Sequence, residues 1–167
     1  LKGRRRIECA QQIIKWIDSS ISVKEFLKTH KPISTKLMSE VRPMAGAELL
    51  IKWCFDNKMP MALVTSSTRE SVSIKTTPHE WIKLISTRVH GDDSSLNNGK
   101  PAPDPFLLAT RKLKVRPEYC WAVEDSVSGI NSAREAGCKV WFLNKSLNSG
   151  NTFNGMQDIY QIKHLSV

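Results

Sequence analysis

Three short stretches of this 167-residue chain carry side chains able to handle a charged, oxygen-rich group. Glu124 and Asp125 are adjacent acids at the end of the apolar run Tyr119-Cys120-Trp121-Ala122-Val123. Neighbouring carboxylates repel unless a cation stands between them, and hard oxygen donors suit Mg2+. Lys100 lies in Gly99-Lys100-Pro101-Ala102-Pro103-Asp104. Two prolines stiffen that loop, so its ammonium group can be placed with little loss of freedom. Thr65, Ser66 and Ser67 follow Met61-Ala62-Leu63-Val64. Hydroxyls and free backbone N–H groups at a strand-to-helix turn suit phosphate oxygens. Each stretch alone has a plain reading: an acidic turn, a solvated lysine, a helix cap. In this order, each at a strand end, they describe phosphoryl transfer. Hydroxyls and amides would hold oxygens, the lysine would offset charge, and a metal would bridge acids and substrate.

The surrounding pattern supplies elements to position them. Tyr119 to Val123 reads as a buried strand, with Ser126 as the N-cap of a helix that Gly137 ends. Met59 to Val64, Ile85 to His90 and Lys139 to Leu143 read as further strands. Helices are expected over Ala47 to Phe55, with Leu49, Leu50, Trp53 and Cys54 inward, over Arg69 to Lys75, and from Asp104-Pro105 to Leu113. Thr77-Pro78, with Glu80 behind it, reads as another helix start. A short helix is expected at Met156 to Tyr160. Strands alternating with helices predict a doubly wound parallel sheet, with ligands at the carboxyl ends of its strands. The chain before residue 42 differs. Ile7, Ala10, Ile13, Ile14 and Ile17 have helical spacing, broken at Asp18-Ser19-Ser20. Val23, Phe26 and Leu27 predict a second helix, ended near Pro32. A third is expected over Ser34 to Val41, and no strand pattern precedes residue 58.

Composition excludes several classes. Hydrophobic residues are 40% and charged residues 25%, which suits a packed core rather than general disorder. No apolar run reaches the ~20 residues of a membrane span, and the Arg4-Arg5-Arg6 start is no signal peptide. Cys9, Cys54, Cys120 and Cys138 lack metal spacing and read as reduced, mostly buried thiols of a cytoplasmic protein. The dispersed histidines argue against zinc. Net charge is +9. Only Arg4-Arg5-Arg6 is dense, and no nucleic-acid motif accompanies it, so the charge reads as a preference for small anionic ligands.

These stretches resemble the haloacid dehalogenase (HAD) superfamily, in its phosphatase and β-phosphoglucomutase-like branch with a helical cap. Leu63-Val64-Thr65-Ser66-Ser67 is similar to that family's second motif, Gly99-Lys100-Pro101-Ala102-Pro103-Asp104-Pro105-Phe106 to its third, and Val123-Glu124-Asp125-Ser126-Val127-Ser128-Gly129-Ile130 to its fourth. The similarity spans residues 1 to 143. It implies a Mg2+-dependent phosphohydrolase acting on a small phosphate ester, such as a sugar phosphate, through an aspartyl-phosphate intermediate. Thr65 would hold the phosphoryl group, Lys100 would stabilise the transferring charge, and Glu124 and Asp125 would face Mg2+. Ser66 and Ser67 would contact phosphate or substrate. Gly3 and Arg6 match cap residues that help position substrate.

The family's first motif, D-x-D-G-T/V, is absent from the sequence. Its nucleophilic Asp is missing, and with it the central strand of an N-terminally incomplete sheet. The expectation is a chain that starts within a larger protein and is inactive as written. Residues 1–41 would be the remainder of the cap and 42–167 the HAD-like α/β core. Strands beside the missing one would show unpaired edges and an apolar gap. Two alternatives stay open: a phosphomutase sharing the same residues, and a non-catalytic remnant that binds a phosphate ligand or a partner.

Overall fold

The computed structural model describes residues 1–17, 20–143, 159–162 and 165. The first part is helical. α1 (Arg6–Trp16) begins where Arg5 donates from its side-chain Nε to Glu8 at 2.6 Å. α2 (Val23–Ser39) begins at Ser22, whose hydroxyl accepts from the Glu25 amide at 3.2 Å. Asp18 and Ser19, where α1 was expected to break, lie outside the described residues. α2 corrects the expectation of two helices around Pro32, because it runs straight through that residue. A proline there removes the donor for the Lys28 carbonyl. Lys28 is exposed and α2 buries no residue, so water can serve that carbonyl. α1 packs on α2, and α2 packs on the first helix after β1.

Helices and strands then alternate. α3 (Ala47–Asp56) leads to β1 (Ala62–Val64), α4 (Arg69–Thr76), a 3₁₀ segment (Glu80–Leu84) and β2 (Thr87–Val89). α5 (Asp104–Leu113), β3 (Trp121–Glu124), α6 (Val127–Glu135), β4 (Lys139–Leu143) and β5 (Ile159–Ile162) follow. Every pairing is parallel: Val64 lies opposite Val89, Glu124 opposite Phe142, and Val140 opposite Ile159. The pairs form two separate sheets, β1-β2 and β3-β4-β5. β1 and β3 therefore each keep one unpaired edge among the described residues. Helices bridge the break. Phe106 of α5, Ala122 of β3, Ile130 and Ala133 of α6, and Val140 of β4 form one buried cluster. Val89, Leu108 and Ala109 form a second, and Val64 packs against both. Ile130 and Val140 are fully buried, each worth about 1.5–3 kcal/mol in area removed from water.

Several local expectations need correction. β3 is not buried on both faces: Ala122 is covered, while Trp121 and Val123 are 52% and 46% exposed. Its outer face carries an aromatic ladder instead. Trp121 stacks on Trp141 at 5.4 Å, Trp141 meets Tyr160 at 5.1 Å, and Lys139 lies over the Trp121 ring. In α3, Leu49 and Trp53 are exposed at 67% and 45%, while the helix packs against the 3₁₀ segment. Thr77 opens no helix. Its hydroxyl donates to the Ser73 carbonyl at 2.8 Å and so closes α4. The helix expected at Met156 to Tyr160 is contradicted at its end, where residues 159–160 are strand; 156–158 lie outside the described residues. All four thiols are free, but only Cys138 is buried, which pushes its pKa up to about 11. No helix among the described residues is long and apolar enough to cross a membrane.

Candidate active site

Lys100 joins the two sheets. It is 5% exposed, and its Nζ donates to the Val64 carbonyl at the end of β1, at 3.1 Å. The same nitrogen donates to Glu124 Oε1 at the end of β3. The Phe106 ring lies 5.0 Å away, a cation–π contact that also limits water. With no strand beyond β1 among the described residues, the Val64 carbonyl needs another donor, and the ammonium group supplies it.

Glu124 is 9% exposed. Its Oε2 accepts from the Ser126 hydroxyl at 3.4 Å, while Ser126 Oγ accepts from the Gly129 amide at 3.1 Å and caps α6 as expected. The carboxylate lies against the first turn of α6, where the helix dipole favours negative charge. A Cβ on Gly129 would collide with it, so only glycine permits this approach. Asp125 points outward. Lys2 Nζ contacts its Oδ2 at 2.9 Å and its backbone carbonyl at 2.8 Å, with both side chains largely exposed.

The hydroxyl loop follows β1. Thr65 continues the ladder by donating its amide to the Val89 carbonyl at 3.0 Å. Its Oγ1 accepts from the Ser67 amide at 3.1 Å, which shapes the turn. Ser66 Oγ donates to the Gly3 carbonyl at 2.6 Å. Lys75 Nζ donates to Ser67 Oγ at 3.2 Å, and burial pushes the pKa of that lysine down. Gly3 has φ +84° and lies so close to Ser126 and Ser128 that a Cβ would meet the Ser126 Cβ at 2.8 Å. The hydroxyl loop, Lys100, the two acids and Gly3 thus form one contact network. Arg6 stands apart: its guanidinium donates to Ser34 at 2.9 Å within the helical unit.

The sequence reading missed Lys2, which reaches its acid across 123 residues, and the roles of Phe106 and Lys75. For Phe106 the spacing to Lys100 held a signal, because a helix starting at Asp104 returns it toward that loop. Lys2 carried none.

The donor chemistry fits one side of a Mg2+ shell. Both acids offer hard oxygens, and Asp125 is open to solvent. Glu124 is more constrained, since Lys100 holds one oxygen and α6 covers the other. No group of three or more His, Cys, Asp or Glu side chains placed to hold a metal ion occurs among the described residues. The pair would be part of a coordination shell.

Parallel strands between helices, with a lysine anchored where two strands end, define the class: a doubly wound α/β protein. Residues 2–143 match the haloacid dehalogenase-like hydrolase family, and the chain belongs to it. Among curated relatives, a probable pseudouridine-5'-phosphatase of Drosophila melanogaster is 35% identical over 135 residues, covering 78% of this chain and 58% of the relative. The bifunctional riboflavin kinase/FMN phosphatase of Arabidopsis thaliana is 34% identical over 139 residues, covering 83% of this chain and 36% of the relative. (DL)-glycerol-3-phosphatase 2 of the same plant is 33% identical over 146 residues, covering 84% and 61%. The chain thus spans between about a third and three fifths of these relatives' length. Among solved structures, a family IA HAD hydrolase of Entamoeba histolytica superimposes with a TM-score of 0.79 at 24% identity, covering 93% of this chain and 72% of that one. A putative beta-phosphoglucomutase of Thermotoga maritima gives 0.69 at 26%, covering 89% and 68%.

Proposed function

We propose that this chain carries the phosphate- and metal-handling side of an HAD-type phosphohydrolase for a small phosphate ester, with residues 1–41 as part of a cap and 42–167 as the core. The observation that carries the reading is Lys100, buried and held between the Val64 carbonyl and Glu124. An ammonium group fixed there needs no reorganisation when negative charge develops on a transferring phosphoryl group. Thr65 holds a phosphoryl oxygen through its hydroxyl, and Ser66 and Ser67 shape the loop around it. Asp125, with Glu124 beside it, would hold Mg2+, and the ion would supply charge neutralisation. Gly3 brings the cap-side segment onto Ser66 and Ser126. Arg6 serves the cap more remotely, by fixing α1 to α2 through Ser34.

The attacking group of the aspartyl-phosphate route is an Asp of the D-x-D-G-T/V type, which these 167 residues do not contain. Purified chain with Mg2+ and p-nitrophenyl phosphate is therefore expected to give the same background rate as its Lys100→Met variant. Turnover in the parent that Lys100→Met abolishes would overturn the inactivity of the isolated chain. Mn2+ binding, followed by water-proton relaxation, should weaken in Asp125→Asn; unchanged binding would remove the metal assignment. The likeness to a putative beta-phosphoglucomutase favours one second reading, a phosphomutase using the same residues. A non-catalytic phosphate-binding role remains the third.

A further inference from the structure

A separate concavity of about 420 Å3 lies between α4, the 3₁₀ segment and β2. Thr65, Lys100, Glu124 and Asp125 are not among its lining residues. Three cations line it from three different elements: Arg69 from the start of α4, Lys83 from the 3₁₀ segment and Arg88 from β2. Arg88 is fixed in place, because its guanidinium donates to the Ile85 carbonyl at 3.2 Å and the Ile82 carbonyl at 3.0 Å. Glu80 is the one carboxylate among the lining residues, and Lys83 contacts it at 2.5 Å. Two acids lie just beyond β2. Asp93 pairs with Lys112 at 2.9 Å, while Asp92 accepts from the neutral Arg69 amide at 2.9 Å and keeps its negative charge beside His90.

His90 gives the cavity its second feature. Its imidazole lines the wall, is 2% exposed, and leaves Nδ1 with no hydrogen-bond partner among the described residues. A buried polar nitrogen without a partner is uncommon and calls for a ligand or an ordered water. Burial, reinforced by Arg69 and Arg88 and opposed by Asp92 and Asp93, pushes the imidazole pKa down.

We propose that this cavity binds a phosphate dianion, as the free ion or as a small monoester, at a site distinct from the hydroxyl loop. Three cations against Glu80 and the neighbouring Asp92 leave an excess of positive charge, which suits a phosphate group near neutral pH (second pKa about 6). The forked Arg69 group presents paired donors suited to tetrahedral oxygens, Arg88 keeps the N–H groups left over from its two carbonyl bonds, and His90 brings its unpartnered Nδ1. The volume is at the small end of the usual range for small-molecule sites.

The test uses the 167-residue chain labelled at histidine nitrogen and titrated with inorganic phosphate or methyl phosphate at constant ionic strength. The His90 imidazole signals, assigned with His90→Gln, should shift saturably. Arg69→Ala and Lys83→Ala, both on the exposed rim, should each weaken the response about tenfold, while Thr65→Val leaves it unchanged. The tighter of the two probes identifies free ion or ester as the natural source. An equal response to acetate or chloride, no response at His90, or loss of the response in Thr65→Val would each overturn the proposal.

Discussion

Lys100–Glu124 and Lys2–Asp125 are the same chemical pair on adjacent acids, in opposite surroundings. The first is enclosed by Phe106, the Val64 carbonyl and α6; the second stands in water. Enclosure makes Lys100 a structural element, because it ties two sheets whose neighbouring strands share no hydrogen bonds. Exposure leaves Lys2 exchangeable. An incoming cation could displace it from Asp125 at little cost, whereas Glu124 yields only if Lys100 moves.

The comparison is most severely tested by Lys100→Ala. It strands a buried carboxylate and should destabilise the fold by about 3–5 kcal/mol in urea titrations. A change below ~1 kcal/mol would show that water reaches Glu124 and that the pairs are alike. Replacing both partners, with Lys100→Met and Glu124→Gln, should cost less than the single change, because no charge is left unpaired. Gly129→Ala comes next. Its added methyl group meets the Glu124 carboxylate and should cost about 1–3 kcal/mol of thermal stability, while Ala at the exposed neighbour Val127 should cost less.

A third pair, Lys112–Asp93, is intermediate in exposure and gives a pH test. The Lys112 hydrogen bond and the Ser95 amide hold the Asp93 carboxyl below its ordinary value of 3.8. A depressed pKa in the folded state adds stability above the unfolded value, and that stability is lost as pH falls through the folded value. Asp93→Asn should therefore flatten the acid limb of stability against pH below about pH 4, and an unchanged limb would remove the pair from the series. Lys2→Ala should do least: 0–1 kcal/mol, erased by salt.

Much of the site was legible because local sequence sets it. Thr65 and Glu124 end apolar runs, Ser126 sits where a helix must start, and Lys100 directly precedes a loop stiffened by Pro101 and Pro103. What failed depended on burial, which spacing cannot report. Pro32 predicts a helix end because proline removes a helix donor, yet α2 runs through it and is open to water there. Trp121 and Val123 were read as core because they are apolar, yet no described element covers their face. Thr77 carried the composition of a cap and used its hydroxyl on the preceding helix. Lys2 could not be placed, since only the folded chain brings it to Asp125. The separation of β1 from β3 was foreseeable from the absent first motif. That Lys100 would span the two strand ends was not.

The aromatic ladder on the outer face of β3-β4-β5 has an optical consequence. Trp121 and Trp141 are held at 5.4 Å with their planes 26° apart, so their excited states couple and should give a paired circular-dichroism band. That signal needs β3 beside β4 in register and owes nothing to β1 or β2. Unfolding followed at that band, set against helix ellipticity, would report whether the three-strand sheet survives after Lys100 has let the other sheet go.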